Sequence, residues 1–226
     1  MTAPFRIVFA IYDGMTHLDF TGPHMFMSRL PGAEVVVASE HGGTVEATLH
    51  FADTAKLADI EACDLICVPG GMNATEVALR DGFTSEIKRL AITATYITSV
   101  CTGSLILGAA GLLNGKRAAC HWAWRELLNE YGAVPVTERV VRDGNLITGG
   151  GVTAGIDFAL TVIAEIAGPE MAQRIQLGLE YDPQPPFDAG SPETAPQDIV
   201  TAYRALMAPK AEERLRQVRE AAAKLP

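Results

Sequence analysis

The residues best suited to chemistry in this 226-residue chain gather around one cysteine. In Tyr96-Ile97-Thr98-Ser99-Val100-Cys101-Thr102-Gly103-Ser104-Leu105, the short β-rich run from Ile97 to Val100 reads as a central strand. Leu105 to Gly111 then continues at helical spacing. Cys101 sits at the joint. Ser99-x-Cys101-x-Gly103 repeats the strand, turn and helix pattern of the G-x-S-x-G nucleophile elbow, with sulfur replacing oxygen and small residues letting the turn close. A thiol at an exposed elbow faces the unpaired N–H groups of a helix start, which favour the thiolate, its nucleophilic form. A cysteine taken at random is more often a small core residue; the elbow context favours the nucleophile.

Other groups could serve that sulfur. Asp19 lies in a turn-rich stretch, Asp13 to Pro23, between a first strand and a helix expected near His24 to Arg29. In a parallel α/β sheet such a loop sits at the carboxyl end of the strand, where ligand sites assemble. The residues leave two roles open for Asp19, a functional carboxyl or the N-cap of that helix. Pro69-Gly70-Gly71 follows a core strand, and two glycines there allow close approach and leave N–H groups free for developing negative charge. A tight turn is the simpler alternative. His121 could act as a general base, although a histidine beside Trp122 is more often packed and hydrogen-bonded, which puts it behind the groups nearest the sulfur. Gly149-Gly150-Gly151-Val152-Thr153-Ala154 satisfies G-x-G-x-x-A, but no next parallel strand with a ribose-binding acid follows. A glycine loop bringing backbone amides towards a sulfur suits it better.

The elements that must hold these groups alternate as in an α/β sheet. Strands are expected at Arg6 to Tyr12, Glu34 to Ser39 and Asp64 to Pro69, with a hairpin or edge pair over Thr44 to Phe51. Helices are expected at Asn73 to Arg80, Thr84 to Ala94, Ala123 to Tyr131 and Ala154 to Ala167. Asp143-Gly144 marks a hairpin turn within Arg139 to Thr148. Tyr181 to Pro196 is rich in Pro, Asp and Gly and reads as an ordered arm before a charged helical tail, Gln197 to Lys224, interrupted near Pro209.

Composition limits the function classes. With 48% hydrophobic residues the chain supports one well-buried α/β domain. A net charge of −9, with no basic stripe, argues against nucleic acid. No apolar tract reaches membrane-spanning length, and the first residues run directly into a strand instead of a signal segment. A soluble, cytoplasmic protein is expected. Cys63, Cys67, Cys101 and Cys120 do not form a metal or disulfide framework: extended chain separates Cys63 from Cys67 by roughly 13 Å. No cofactor and no metal is expected.

Over essentially its whole length the chain resembles the ThiJ/PfpI branch of the class I glutamine-amidotransferase-like superfamily, and within it the members that hydrate isocyanides. The resemblance is carried by Leu18-Asp19-Phe20-Thr21-Gly22-Pro23, Val68-Pro69-Gly70-Gly71, Ser99 to Ser104, His121-Trp122, Arg139 to Asn145, Thr148 to Gly151 and Leu179 to Pro192. It implies a flavodoxin-like three-layer sandwich with a mostly parallel central sheet and a cysteine nucleophile elbow. The whole of 1–226 would be a single domain, with 181–226 an arm and helix making homodimer contacts. It implies Cys101 as nucleophile, Asp19 as its acid and base partner, Thr102 near substrate or water, and the Val152 amide near the sulfur, with Gly70, Gly71 and Gly150 as substrate or oxyanion contacts. Most of the superfamily carries Glu where Asp19 stands, whereas the isocyanide-hydrating members have Asp. Thr102 replaces the His that PfpI-type proteases place after the nucleophile, which argues against peptidase activity. The expected reaction converts an isocyanide into an N-substituted formamide through a thioimidate. Two other readings remain, a glyoxalase-like or redox-protective enzyme in which His121 shuttles protons, and a sensory module similar to the amino-terminal domains of AraC-type regulators.

Overall fold

The structure, a computed structural model, describes residues 4–226. Its sheet has eight strands in the order β3-β4-β2-β1-β5-β6-β10-β9. These are β1 (Phe5–Ala10), β2 (Ala33–Ser39), β3 (Gly43–Glu46), β4 (His50–Lys56), β5 (Leu65–Val68), β6 (Tyr96–Val100), β9 (Val140–Asp143) and β10 (Leu146–Gly149). A separate two-residue pair joins β7 (Arg117–Ala118) to β8 (Val134–Pro135). The centre of the large sheet is parallel and each end closes with an antiparallel hairpin. The four strands β1, β5, β6 and β10 are buried on both faces, and their apolar runs such as Leu65-Ile66-Cys67-Val68 follow from that.

Helices cover both faces. On one face α5 (Ala154–Ala167) packs between α1 (His17–Met27) and α6 (Pro169–Gly178). A second group comprises α2 (Ala74–Val77), α3 (Asp81–Thr93), α4 (Gly103–Ala109) and α7 (Gln197–Ala222). The result is the expected flavodoxin-like three-layer sandwich. Among the described residues no helix is long and apolar enough to cross a membrane.

Three local expectations are corrected. The stretch before His24 is not a loop: α1 starts at His17, so Asp19 sits inside its first turn and Thr16 takes the N-cap position. Gly22 and Pro23 look like helix breakers, but they form the contact with α5. A Cβ on Gly155 would stand 3.1 Å from the Pro23 ring, and this close crossing outweighs the hydrogen bond that proline removes. Helix α7 runs unbroken through Pro209. One lost bond there is offset by anchoring on either side, at Val200 and at Val218 and Ala221. Lastly, the segment expected as a helix over Ala123 to Tyr131 is a 3-10 turn, Arg125–Tyr131, ended by Gly132 in the left-handed region.

Candidate active site

Strand β6 ends at Val100, α4 begins at Gly103, and Cys101 between them has φ of 59°. An L-residue in the left-handed region costs about 1 kcal/mol or more and persists only where neighbours fix it. Here the Cys101 N–H donates to the carbonyls of Gly149 (3.1 Å) and Gly150 (2.8 Å) at the end of β10, and the Ser104 hydroxyl donates to the Cys101 carbonyl at 3.1 Å. The sharp strand-to-helix bend expected from Ser99-x-Cys101-x-Gly103 is therefore present.

The sulfur is not exposed. Only 5% of Cys101 is accessible, which corrects the expectation of a thiol ionised by a helix start. Burial pushes this thiol well up, and repulsion from the Asp19 carboxylate pushes the same way. The N–H groups of Val152 and Thr102 at the sulfur pull it down. Desolvation wins, because two amides and a seven-residue helix cannot replace the water removed. The other three cysteines are also buried and free, Cys67 being pushed up to about 12 and Cys63 and Cys120 to about 11, in each case chiefly by burial.

Asp19 is fully buried on α1 and its side chain adjoins the Cys101 sulfur. Burial raises its carboxyl from an ordinary 3.8 to about 7, against the opposing pull of the Cys101 side chain and of the Gly70 amide, which donates to Oδ2 at 3.0 Å. Oδ1 has no partner that meets strict hydrogen-bond geometry. The approach of carboxyl and sulfur is thus proximity without a well-aligned bond. An N-cap role for Asp19 is excluded by its position. The Asp19 charge disfavours the thiolate, whereas the Cys101 side chain favours the carboxylate, and burial opposes charge on both, so the buried pair holds a proton at a pH where two solvated groups would not share one.

The glycine turn holds these groups but does not offer the free donors expected of it. The Gly70 N–H is engaged by Asp19, and the Gly71 N–H donates to Thr102 Oγ1 at 2.9 Å. The Thr102 hydroxyl in turn donates to the Gly71 carbonyl at 3.0 Å, which leaves it able only to accept from a further molecule. Any side chain at position 70 would collide: a Cβ would lie 2.7 Å from Thr102 Oγ1 and 2.9 Å from Asp19 Oδ2. Gly150 is similar, its N–H donating to the Arg139 carbonyl at 2.8 Å. The N–H groups of Gly70, Gly71 and Gly150, expected as substrate or oxyanion contacts, are thus occupied by Asp19, Thr102 and Arg139, and none is a free oxyanion donor in this structure. Val152 is the member of that set whose amide reaches the sulfur.

His121 packs against Trp122, with ring centroids 5.9 Å apart, and its Nδ1 accepts from the Ala123 N–H at 3.3 Å. Burial, reinforced by the charge of Arg214, lowers its pKa. Beside it lies a cleft of about 320 Å³ lined by Cys120, His121, Val152, Arg125 and the arm residues Gly190 to Glu193. Among the described residues no group of three or more His, Cys, Asp or Glu could hold a metal ion.

Arg214 escaped the sequence reading. It belongs to a charged run on α7, yet it is 5% exposed, its Nη2 donates to the Met72 carbonyl, and its guanidinium lies 3.9 Å over the Trp124 ring. Nothing in the spacing Glu212-Glu213-Arg214 sets it apart from its solvated neighbours.

Comparison with known proteins agrees with this geometry. The chain is 47% identical over 222 residues to the isonitrile hydratase of Pseudomonas putida, covering 97% of each chain. It is 32% identical over 143 residues to the HTH-type transcriptional regulator CdhR of Pseudomonas aeruginosa, covering 62% of this chain and 42% of that one. The crystal structure of a ThiJ/PfpI family protein from Pseudomonas syringae superposes with a TM-score of 0.91 at 39% identity, covering 97% of this chain and 90% of that chain. Residues 5–165, which contain the Cys101 bend, Asp19 and the Gly70-Gly71 turn, match the DJ-1/PfpI family, and the chain belongs to that family.

Proposed function

We infer that this protein is an isocyanide hydratase, a cysteine-dependent enzyme adding water to an isocyanide to give an N-substituted formamide. The observation that carries this reading is the buried Asp19 carboxyl against the Cys101 sulfur, in a chain so similar along its length to an isonitrile hydratase.

The chemistry needs a nucleophile for a weakly electrophilic terminal carbon and a proton for that same carbon as the bond forms. Cys101 passes its proton to Asp19 and attacks as the thiolate, Asp19 gives that proton to the carbon, and the product is a thioimidate. Water then adds to that carbon; Asp19 takes one water proton and passes it to the nitrogen. The C–S bond breaks, the hydroxyl proton returns to Asp19, and formamide leaves with the thiolate restored. A carboxyl pushed up to about 7 by burial suits both directions of transfer near neutrality. Thr102, its hydroxyl proton already committed to Gly71, accepts a hydrogen bond from the water. The Val152 amide steadies the sulfur, and the adjoining cleft takes the substituent.

The chain is read as one domain over 1–226, supported by a single core in which Val218 and Leu225 of the tail join the central strands. The arm and helix over 181–226 are read as homodimer contacts, supported by exposed Phe187, Ile199, Tyr203 and Leu206. A cytoplasmic location completes the reading.

The test is spectrophotometric hydration of an aryl isocyanide. The wild-type protein turns it over and Cys101→Ala does not. Undiminished turnover by Cys101→Ala removes the mechanism, and faster turnover of methylglyoxal than of the isocyanide by the wild type replaces it with a glyoxalase-like activity.

A further inference from the structure

A guanidinium taken out of water with no acid beside it loses several kcal/mol of hydration, and Arg214 is in that position. No ion pair among the described residues includes it, whereas Arg216 and Arg219 on the same helix are paired with Glu213, Glu220 and Glu130. The groups whose charge it feels are Cys101, Cys120, Glu76 and Tyr12, with His121 on the same side. Glu76 is exposed, so solvent screens it, and Cys101, Cys120 and Tyr12 are all buried groups pushed upward. Of these three, Cys101 is the one that the proposed reaction needs as an anion, so it is where a buried positive charge matters.

The guanidinium is also a brace. Its bond to the Met72 carbonyl fixes the residue directly after Gly70 and Gly71, whose amides hold Asp19 and Thr102. One turn along α7, Gln217 accepts from the Thr75 hydroxyl at 2.6 Å, so the helix is docked on the same segment from two points. The guanidinium itself lies over the Trp124 ring, which keeps the charge from swinging out to water.

We propose that Arg214 is a positioning residue for the hydration: from the carboxyl-terminal helix it fixes the Gly70–Met72 turn and supplies the buried positive charge that balances Cys101 when its sulfur is ionised. The proposal rests on the hydratase reading for the reaction it serves, and its first readout is independent of any isocyanide.

The experiment follows alkylation of Cys101 by iodoacetamide against pH, located by peptide mass, in wild type, Arg214→Met and Arg214→Lys, with circular dichroism to verify folding. In Arg214→Met the alkylation midpoint rises by about one pH unit, roughly a tenfold loss of thiolate at fixed pH below it. Arg214→Lys, which keeps the charge, stays near wild type, and isocyanide turnover falls in step with the thiolate. A folded Arg214→Met with the wild-type midpoint overturns the proposal. If Arg214→Met does not fold, Arg214→Lys decides: a wild-type midpoint supports the charge role and a rise of about one unit overturns it. A shifted midpoint in a protein whose wild type hydrates no isocyanide would discard the hydratase reading and leave the charge role standing.

Discussion

Replacing Asp19 by Asn separates the carboxyl's effect on stability from its effect on catalysis. The side chain is fully buried and accepts from the Gly70 amide at 3.0 Å; the Asn carbonyl can accept the same bond. In the folded chain the Asp19 carboxyl titrates at about 7 and its ordinary value is 3.8. Between those values the native state holds a proton that the unfolded chain has released. Stability therefore falls as pH rises through that window, by about 1.4 kcal/mol per pH unit, to a total of roughly 4 kcal/mol above it. Asn carries no such penalty. Urea unfolding of both proteins should show Asp19→Asn gaining about 3 kcal/mol on the wild type between about pH 5 and 8, with most of the gain below pH 7. Over the same range its isocyanide turnover should fall by about 10²- to 10⁴-fold, the usual worth of a positioned general acid. Parallel stability curves would show that the carboxyl is ionised throughout and would refute the proton source. A stable Asp19→Asn enzyme with full turnover would refute its catalytic role.

Thr102→Val should lose about 1 to 3 kcal/mol in thermal or urea unfolding, because it leaves the buried Gly71 N–H without a partner, the Gly71 carbonyl still accepting from the Ala74 N–H; Thr102→Ser should recover most of that and most of the activity. Mild peroxide should modify Cys101 before Cys63, Cys67 or Cys120, as read by peptide mass, since Cys101 has amide donors from both Val152 and Thr102 at its sulfur and all four are similarly buried. Earlier loss of another cysteine would show that those amides do not set reactivity.

The site divides into a part that local sequence encodes and a part that it does not. The β6, Cys101 and α4 bend was legible because a β-rich run, small residues and a helical run meet within ten positions. The central strands were legible because parallel strands buried on both faces read as unbroken apolar runs. The start of α1 was hidden: Gly22 and Pro23 carry the local signature of a breaker, and their use as a contact surface depends on α5, more than a hundred residues later. The fate of the Gly70 and Gly71 amides was hidden for the same reason, since their acceptors are on α1 and at residue 102. Burial of Cys101 reversed the expected direction of its ionisation, and no motif reports desolvation. Arg214 is the extreme case, bonded across 142 positions of chain to Met72 from within a run of ordinary surface charges.

The DJ-1/PfpI match ends at residue 165, yet Gly190 to Glu193 form one wall of the cleft beside His121 and Val152. If that cleft takes the substituent, as proposed, part of the surface that selects it comes from a stretch of chain separate from the one carrying the reactive groups. Changes to the arm can retune which molecules enter while the thiol, the carboxyl and their clamps stay untouched, so descendants of one such scaffold can diverge in diet without relearning the reaction.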